Sequence, residues 1–157
     1  MTVPPNLNGR GDGRWQIVVP DMPDRGGSVR PLALLVDDHS DVLVTTSAFL
    51  EAAGFDVVRA NNGDEALAYL ASGQMFVLLV TDYAMPGLNG VDLATQALVQ
   101  LPALKVLIIT GYPSDAGLFN RPSSVALLAK PFRRAALIER LRALFAGGQT
   151  ILPASLD

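Results

Sequence analysis

The stretch Leu32-Ala33-Leu34-Leu35-Val36-Asp37-Asp38 decides the fold: an unbroken apolar run ends abruptly on two acids. A continuous run of this length is the signature of a strand buried on both faces of a parallel sheet. Three more runs end the same way. Phe76 to Val80 leads to Asp82, Val106 to Ile109 to Thr110, and Val125 to Ala129 to Lys130. Phe55 to Arg59 is interrupted by Asp56 and Arg59 and suits an edge strand. Between the runs lie apolar stripes at helical spacing. Val42, Thr46, Phe49, Leu50 and Ala53 precede Gly54; Ala66, Leu67 and Leu70 precede Gly73; Val91, Ala94, Leu98 and Leu101 form a third stripe; Leu137, Leu141, Leu144 and Phe145 precede Gly147 and Gly148. This alternation predicts an α/β protein, a doubly wound parallel sheet of five strands with helices on both faces. Between Tyr112 and Ser124 a helix is also due, but Pro113, Gly117 and Pro122 leave room for a short or irregular one.

In open sheets of this kind ligands bind at the carboxyl ends of the strands, where the strand order reverses. The pattern therefore delivers Asp37, Asp38, Asp82, Thr110 and Lys130 to one rim. Carboxylates gathered there repel by a few kcal/mol per close pair, on the order expected at an effective protein dielectric, so a cation must hold them together. Three acids in a chain without cysteine suit a hard divalent ion, and a lysine beside a hydroxyl suits a phosphoryl group. The rim reads as a site for Mg²⁺ and phosphate.

These residues, together with Met85-Pro86-Gly87 after Asp82, the Thr110-Gly111 step and Lys130-Pro131-Phe132, occur in an order that resembles the receiver domain of two-component response regulators. The likeness covers about residues 31 to 146 and is strongest to receivers of hybrid histidine kinases. It implies a flavodoxin-like sheet of strand order 2-1-3-4-5. It also implies a role for each rim residue. Asp82 is the phosphoacceptor; Asp38, Asp82 and the carbonyl of Ala84 bind Mg²⁺ directly, and Asp37 acts largely through water. Thr110 and Lys130 contact phosphoryl oxygens, and the Lys130-Pro131 bond is cis. The donor would be a histidine kinase or a histidine phosphotransfer protein.

Plainer roles exist for the same residues. Asp82 or one of the Asp37-Asp38 pair could simply cap a helix, and Thr110 could serve packing alone. His39, the chain's only histidine, could be a metal ligand or phosphodonor, but an exposed rim position is the favoured reading. Leu127 stands where many receivers carry an aromatic residue whose rotation reports phosphorylation, so the usual readout is in doubt. Alternatives to a phosphorylated receiver are a phosphorylation-independent adaptor and a Mg²⁺-dependent phosphatase of the haloacid dehalogenase type. The latter needs an acid two residues after the nucleophile, where this chain has Ala84.

Composition sets the outer bounds. The 157 residues suit one domain with tails, namely a flexible extension over 1–31, a receiver over 32–146 and a tail over 147–157. Within the extension, Trp15 to Val19 is an apolar patch that could form a short strand or be a sticky piece of tail. A net charge of -3 gives no basic face for nucleic acid, no apolar stretch is long enough for a membrane span, and no signal peptide is evident. The expectation is a cytoplasmic signalling module, monomeric by preference and not an enzyme beyond its own phosphotransfer and dephosphorylation.

Overall fold

The computed structural model describes residues 6–9, 15–18 and 30–146. Strands β1 (Asn6–Gly9) and β2 (Trp15–Val18) form a two-stranded antiparallel sheet. The Trp15 patch is thus a strand as far as Val18, while Val19 and the rest of the extension and tail lie outside the described residues.

The main unit runs β3 (Leu32–Val36), α1 (Ser40–Ala53), β4 (Asp56–Ala60), α2 (Gly63–Leu70), β5 (Phe76–Asp82), α3 (Gly90–Gln100), β6 (Lys105–Thr110), a 3-10 segment (Ala116–Asn120), β7 (Ala126–Ala129) and α4 (Arg134–Ala146). All five sheet strands are parallel, in the order β4-β3-β5-β6-β7. Counted from β3 this is 2-1-3-4-5, and the reversal of direction falls between β3 and β5. The interrupted run at residues 55–59 forms the edge strand β4, shifted one residue to Asp56–Ala60. β5 is longer than its apolar run because Thr81 and Asp82 stay in register with Ile108 and Ile109 of β6.

Side chains alternate across the sheet as the pleat requires. Ala33 and Leu35 of β3 face a core with Leu43 and Leu50 of α1 and Leu137, Leu141 and Phe145 of α4. Leu34 and Val36 face the opposite core, with Ala66 and Leu70 of α2, Val91, Ala94 and Ala97 of α3, and Leu118. The first helical stripe is rotated slightly from its sequence reading. Leu43 and Ser47 are buried, whereas Val42 and Phe49 are half-buried. Phe49 meets Phe132 edge-on, ring centroids 6.4 Å apart, which ties α1 to the loop after β7.

The fourth helix is reduced to the 3-10 segment, five residues long. Pro113 and Pro122 bracket it, and the residue that caps it, Asp115, accepts a hydrogen bond from the Gly117 N–H at 2.8 Å. Among the described residues no helix is long and apolar enough to cross a membrane.

Candidate functional site

Asp37 follows β3 directly. Its N–H donates to the Ala60 carbonyl at 3.2 Å, extending the β3–β4 ladder by one rung and fixing where the carboxylate points. Asp82 is the last residue of β5, held on its other side by the Tyr83 N–H bonded to Ile109 O at 2.9 Å. Thr110 ends β6, and the Lys130 N–H bonds to Thr110 O at 2.8 Å just beyond β7. Four adjacent strand ends thus set the four side chains, and the two acids nearest the topological switch point, Asp37 and Asp82, flank it.

Lys130 Nζ lies 3.0 Å from Asp82 Oδ1 and 3.9 Å from Asp37 Oδ2. Asp37, Asp82 and Thr110 are buried, at 3%, 6% and 3% exposure, so this cluster is screened poorly by water. Asp38 is more open, its side chain 28% exposed. Burial pushes the Asp82 carboxyl above its ordinary range; the Lys130 hydrogen bond opposes this, and the Asp37 charge adds to it. One ammonium against three carboxylates leaves a deficit of positive charge, which a divalent ion would remove.

His39 is exposed, as the sequence suggested, but it is not idle. Its Nδ1 lies 3.1 Å from Asp37 Oδ1 and 3.1 Å from Asp38 Oδ1, and its backbone N–H donates to Asp37 Oδ1 at 2.9 Å. The Asp37 hydrogen bond, followed by the charges of Asp38 and Asp37, raises the imidazole pKa. Candidate ligand atoms of Asp37, Asp38, His39 and Asp82 all fall within 4.8 Å of one another. The sequence offered a ligand role for His39 from its place beside the acid pair, and the exposed rim position was the favoured reading; the approach of its ring to both carboxylates is added by the structure. The donor set fits a divalent ion, since three carboxylates and an imidazole offer hard oxygen and nitrogen donors at this mutual spacing.

The expected residues are therefore together. Thr110 sits on the rim with its Oγ1 accepting from the Tyr112 N–H at 3.0 Å. Ala84 occupies the bend just past Asp82, and the Lys130-Pro131 bond is cis. Leu127 is half-buried and packs in the core shared with α2 and α3. An unforeseen contact lies at the next residue along. Tyr83 reaches over the 3-10 segment, its hydroxyl 3.4 Å from Asp115 Oδ1 and close enough to Gly117 that an added Cβ would sit 2.0 Å from that oxygen.

The chain resembles known proteins across the same unit. A sequence model of the response regulator receiver domain matches residues 33–142. The response regulator receiver protein CpdR of Brucella abortus is 34% identical over 110 residues, covering 69% of this chain and 91% of that protein. A CpxR homologue from Haemophilus influenzae, a transcriptional regulatory protein, is 37% identical over 113 residues, 71% of this chain; the chain spans only 48% of that relative. Among solved structures, the receiver domain of the hybrid histidine kinase CckA superposes with a TM-score of 0.61 at 30% identity, covering 72% of this chain and 97% of that domain. The response regulator TrrA of Thermotoga maritima, solved with Mg²⁺ and beryllofluoride, gives 0.63 at 26% identity, covering 73% and 98%.

Proposed function

Since the chain belongs to the response regulator receiver family, we propose that it accepts a phosphoryl group on Asp82 from the phosphohistidine of a histidine kinase or histidine phosphotransfer protein, and thereby changes its partners. The observation that carries this reading is the Lys130 ammonium 3.0 Å from a buried Asp82 carboxylate, on the rim where Asp37 and Asp38 converge.

Asp82 is the nucleophile. Its carboxylate attacks phosphorus as the phosphorus–nitrogen bond to the donor imidazole breaks, and the leaving imidazole carries away the electron pair. Lys130 holds the carboxylate in place beforehand and contacts a phosphoryl oxygen afterwards. The Thr110 hydroxyl is placed to donate to a second oxygen. Asp38, Asp82 and the Ala84 carbonyl would hold Mg²⁺, with Asp37 supporting through water. When bound, the ion supplies positive charge against the phosphoryl oxygens and the acid cluster.

The chain is thus a signalling module, with its own phosphotransfer and hydrolysis as its only chemistry. We assign the receiver to residues 32–146 and place it in the cytoplasm, a setting the cysteine-free sequence permits. Monomer is the working state.

Titration with Mg²⁺ and then beryllofluoride, followed by amide NMR, tests the division of labour. Wild-type protein should respond to both. Lys130→Ala should bind Mg²⁺ yet lose the beryllofluoride response, because Lys130 contacts the anion and not the metal. A full beryllofluoride response in Lys130→Ala would remove Lys130 from the site.

A further inference from the structure

The acid cluster contains a nitrogen that phosphoryl transfer does not require. His39 Nδ1 is 3.1 Å from a carboxylate oxygen of each of Asp37 and Asp38, and lies within 4.8 Å of the nearest set of ligand atoms that includes Asp82. Neighbouring donors around an octahedral ion with bonds of about 2.1 Å are roughly 3 Å apart. The spacing of Nδ1 from both carboxylates matches that edge. A ring N–H shared between two carboxylates makes only a three-centre hydrogen bond, whereas one cation at their centre would serve all the donors.

The backbone brings the ring there. His39 is the residue before α1, in extended conformation (φ −106°, ψ 116°), and its side chain makes no capping hydrogen bond to the helix. The imidazole is therefore available to face the acids. It is 64% exposed, with no packing that would resist small adjustments of the ring.

Building on the metal site proposed above, we propose that His39 is a ligand that widens the ion preference of this site, with Nδ1 joining the carboxylates on first-row transition ions such as Co²⁺ or Ni²⁺. Mg²⁺ prefers oxygen donors and retains water, so it gains little from the imidazole. Cobalt and nickel take imidazole readily, and their affinity for mixed nitrogen and oxygen sites exceeds that of earlier ions in the row.

Because the chain holds one histidine, every imidazole signal from tag-free protein belongs to His39. Co²⁺ should produce a hyperfine-shifted, exchangeable imidazole N–H resonance in the proton NMR spectrum of the full chain, absent from His39→Ala and His39→Gln. Calorimetry should show Co²⁺ affinity falling on the order of tenfold or more in both variants, since losing even an outer-shell partner of a metal costs about that much. Mg²⁺ affinity should move far less. Co²⁺ binding without that resonance, or equal losses for the two ions, would overturn the ligand role and leave the metal site itself standing. Failure of wild-type protein to bind either ion would overturn both this proposal and the Mg²⁺ site.

Discussion

The connections leaving β5 and β6 begin alike and end differently. Each starts at a site residue, Asp82 or Thr110, and each is due to return through a helix on the same face of the sheet. After β5 the chain turns through Met85-Pro86-Gly87, with Gly87 at φ +79°, and enters the eleven-residue α3 capped by Asn89, whose side chain accepts from the Asp92 N–H at 2.8 Å. After β6 it enters only the 3-10 segment, buried by the single side chain of Leu118. The local capping chemistry is present in both, since Asp115 also accepts from a backbone N–H. What differs is the supply of apolar residues beyond the cap: Val91, Leu93, Ala94 and Ala97 are buried in α3. Helices in proteins are held mainly by such packing, and a cap alone does not sustain one.

The same glycine-to-alanine change on the two sides should separate them most sharply. At Gly90 an added Cβ would lie 2.6 Å from the Asp82 carbonyl oxygen and 2.9 Å from Tyr83 Cα, both backbone. Neither can yield without moving the end of β5. Gly90→Ala should cost about 2 kcal/mol or more, in the range of overpacked cores, and slow phosphorylation of Asp82. At Gly117 the obstacles are side-chain ends, the hydroxyl of the half-buried Tyr83 and, at 3.2 Å, Asp115 Oδ1. Gly117→Ala should cost under about 1 kcal/mol, since the ring can swing aside. Urea melts of the two variants check the pair; equal losses would mean that the 3-10 side is as rigid as the α3 side.

A second contrast concerns charge. Folding raises the Asp82 pKa, chiefly by burial, so the folded state binds the Asp82 proton more tightly than the unfolded chain does. The ionised carboxylate therefore destabilises the metal-free protein at pH above its folded pKa, and that penalty vanishes below the unfolded value, where both states are protonated. Asp82→Asn should melt higher than wild type in chelator at neutral pH, with the gap closing as pH falls through the acid range. A gap that persisted undiminished at low pH would point to packing instead of charge.

The smallest effect belongs to assembly. Between β6 and β7 the surface carries only the 3-10 segment and no regular helix, and Leu127 of β7 is half-buried, so this side offers no helical face for a partner copy. Light scattering with and without beryllofluoride should show no change of mass. A dimer that appears with beryllofluoride and is lost on charge reversal at Arg140 or Arg142 of α4 would contradict this.

Much of this was legible in the sequence because the sheet is buried on both sides. Unbroken apolar runs announce such strands, and the polar residues that follow mark the rim: Asp37, Thr110 and Lys130 directly after their runs, and Asp82 one place beyond Thr81. Strand ends were less legible. Thr81 and Asp82 read as polar yet belong to β5, because a neighbouring strand still pairs with them. The contact of Tyr83 over Gly117, made across sequence, left no periodic trace, whereas that of His39 with two carboxylates was signalled only by its place beside them.

The central claim is that Asp82 is the phosphoacceptor and that its reaction needs a divalent ion. Intact-mass and peptide-mapping measurements after incubation with acetyl phosphate, with and without Mg²⁺, test it most directly. The expected result is one phosphoryl group on the peptide containing Asp82, present with Mg²⁺, nearly absent in chelator and absent from Asp82→Asn. Undiminished modification of Asp82→Asn on that peptide, or modification of wild type that is indifferent to Mg²⁺, would contradict it.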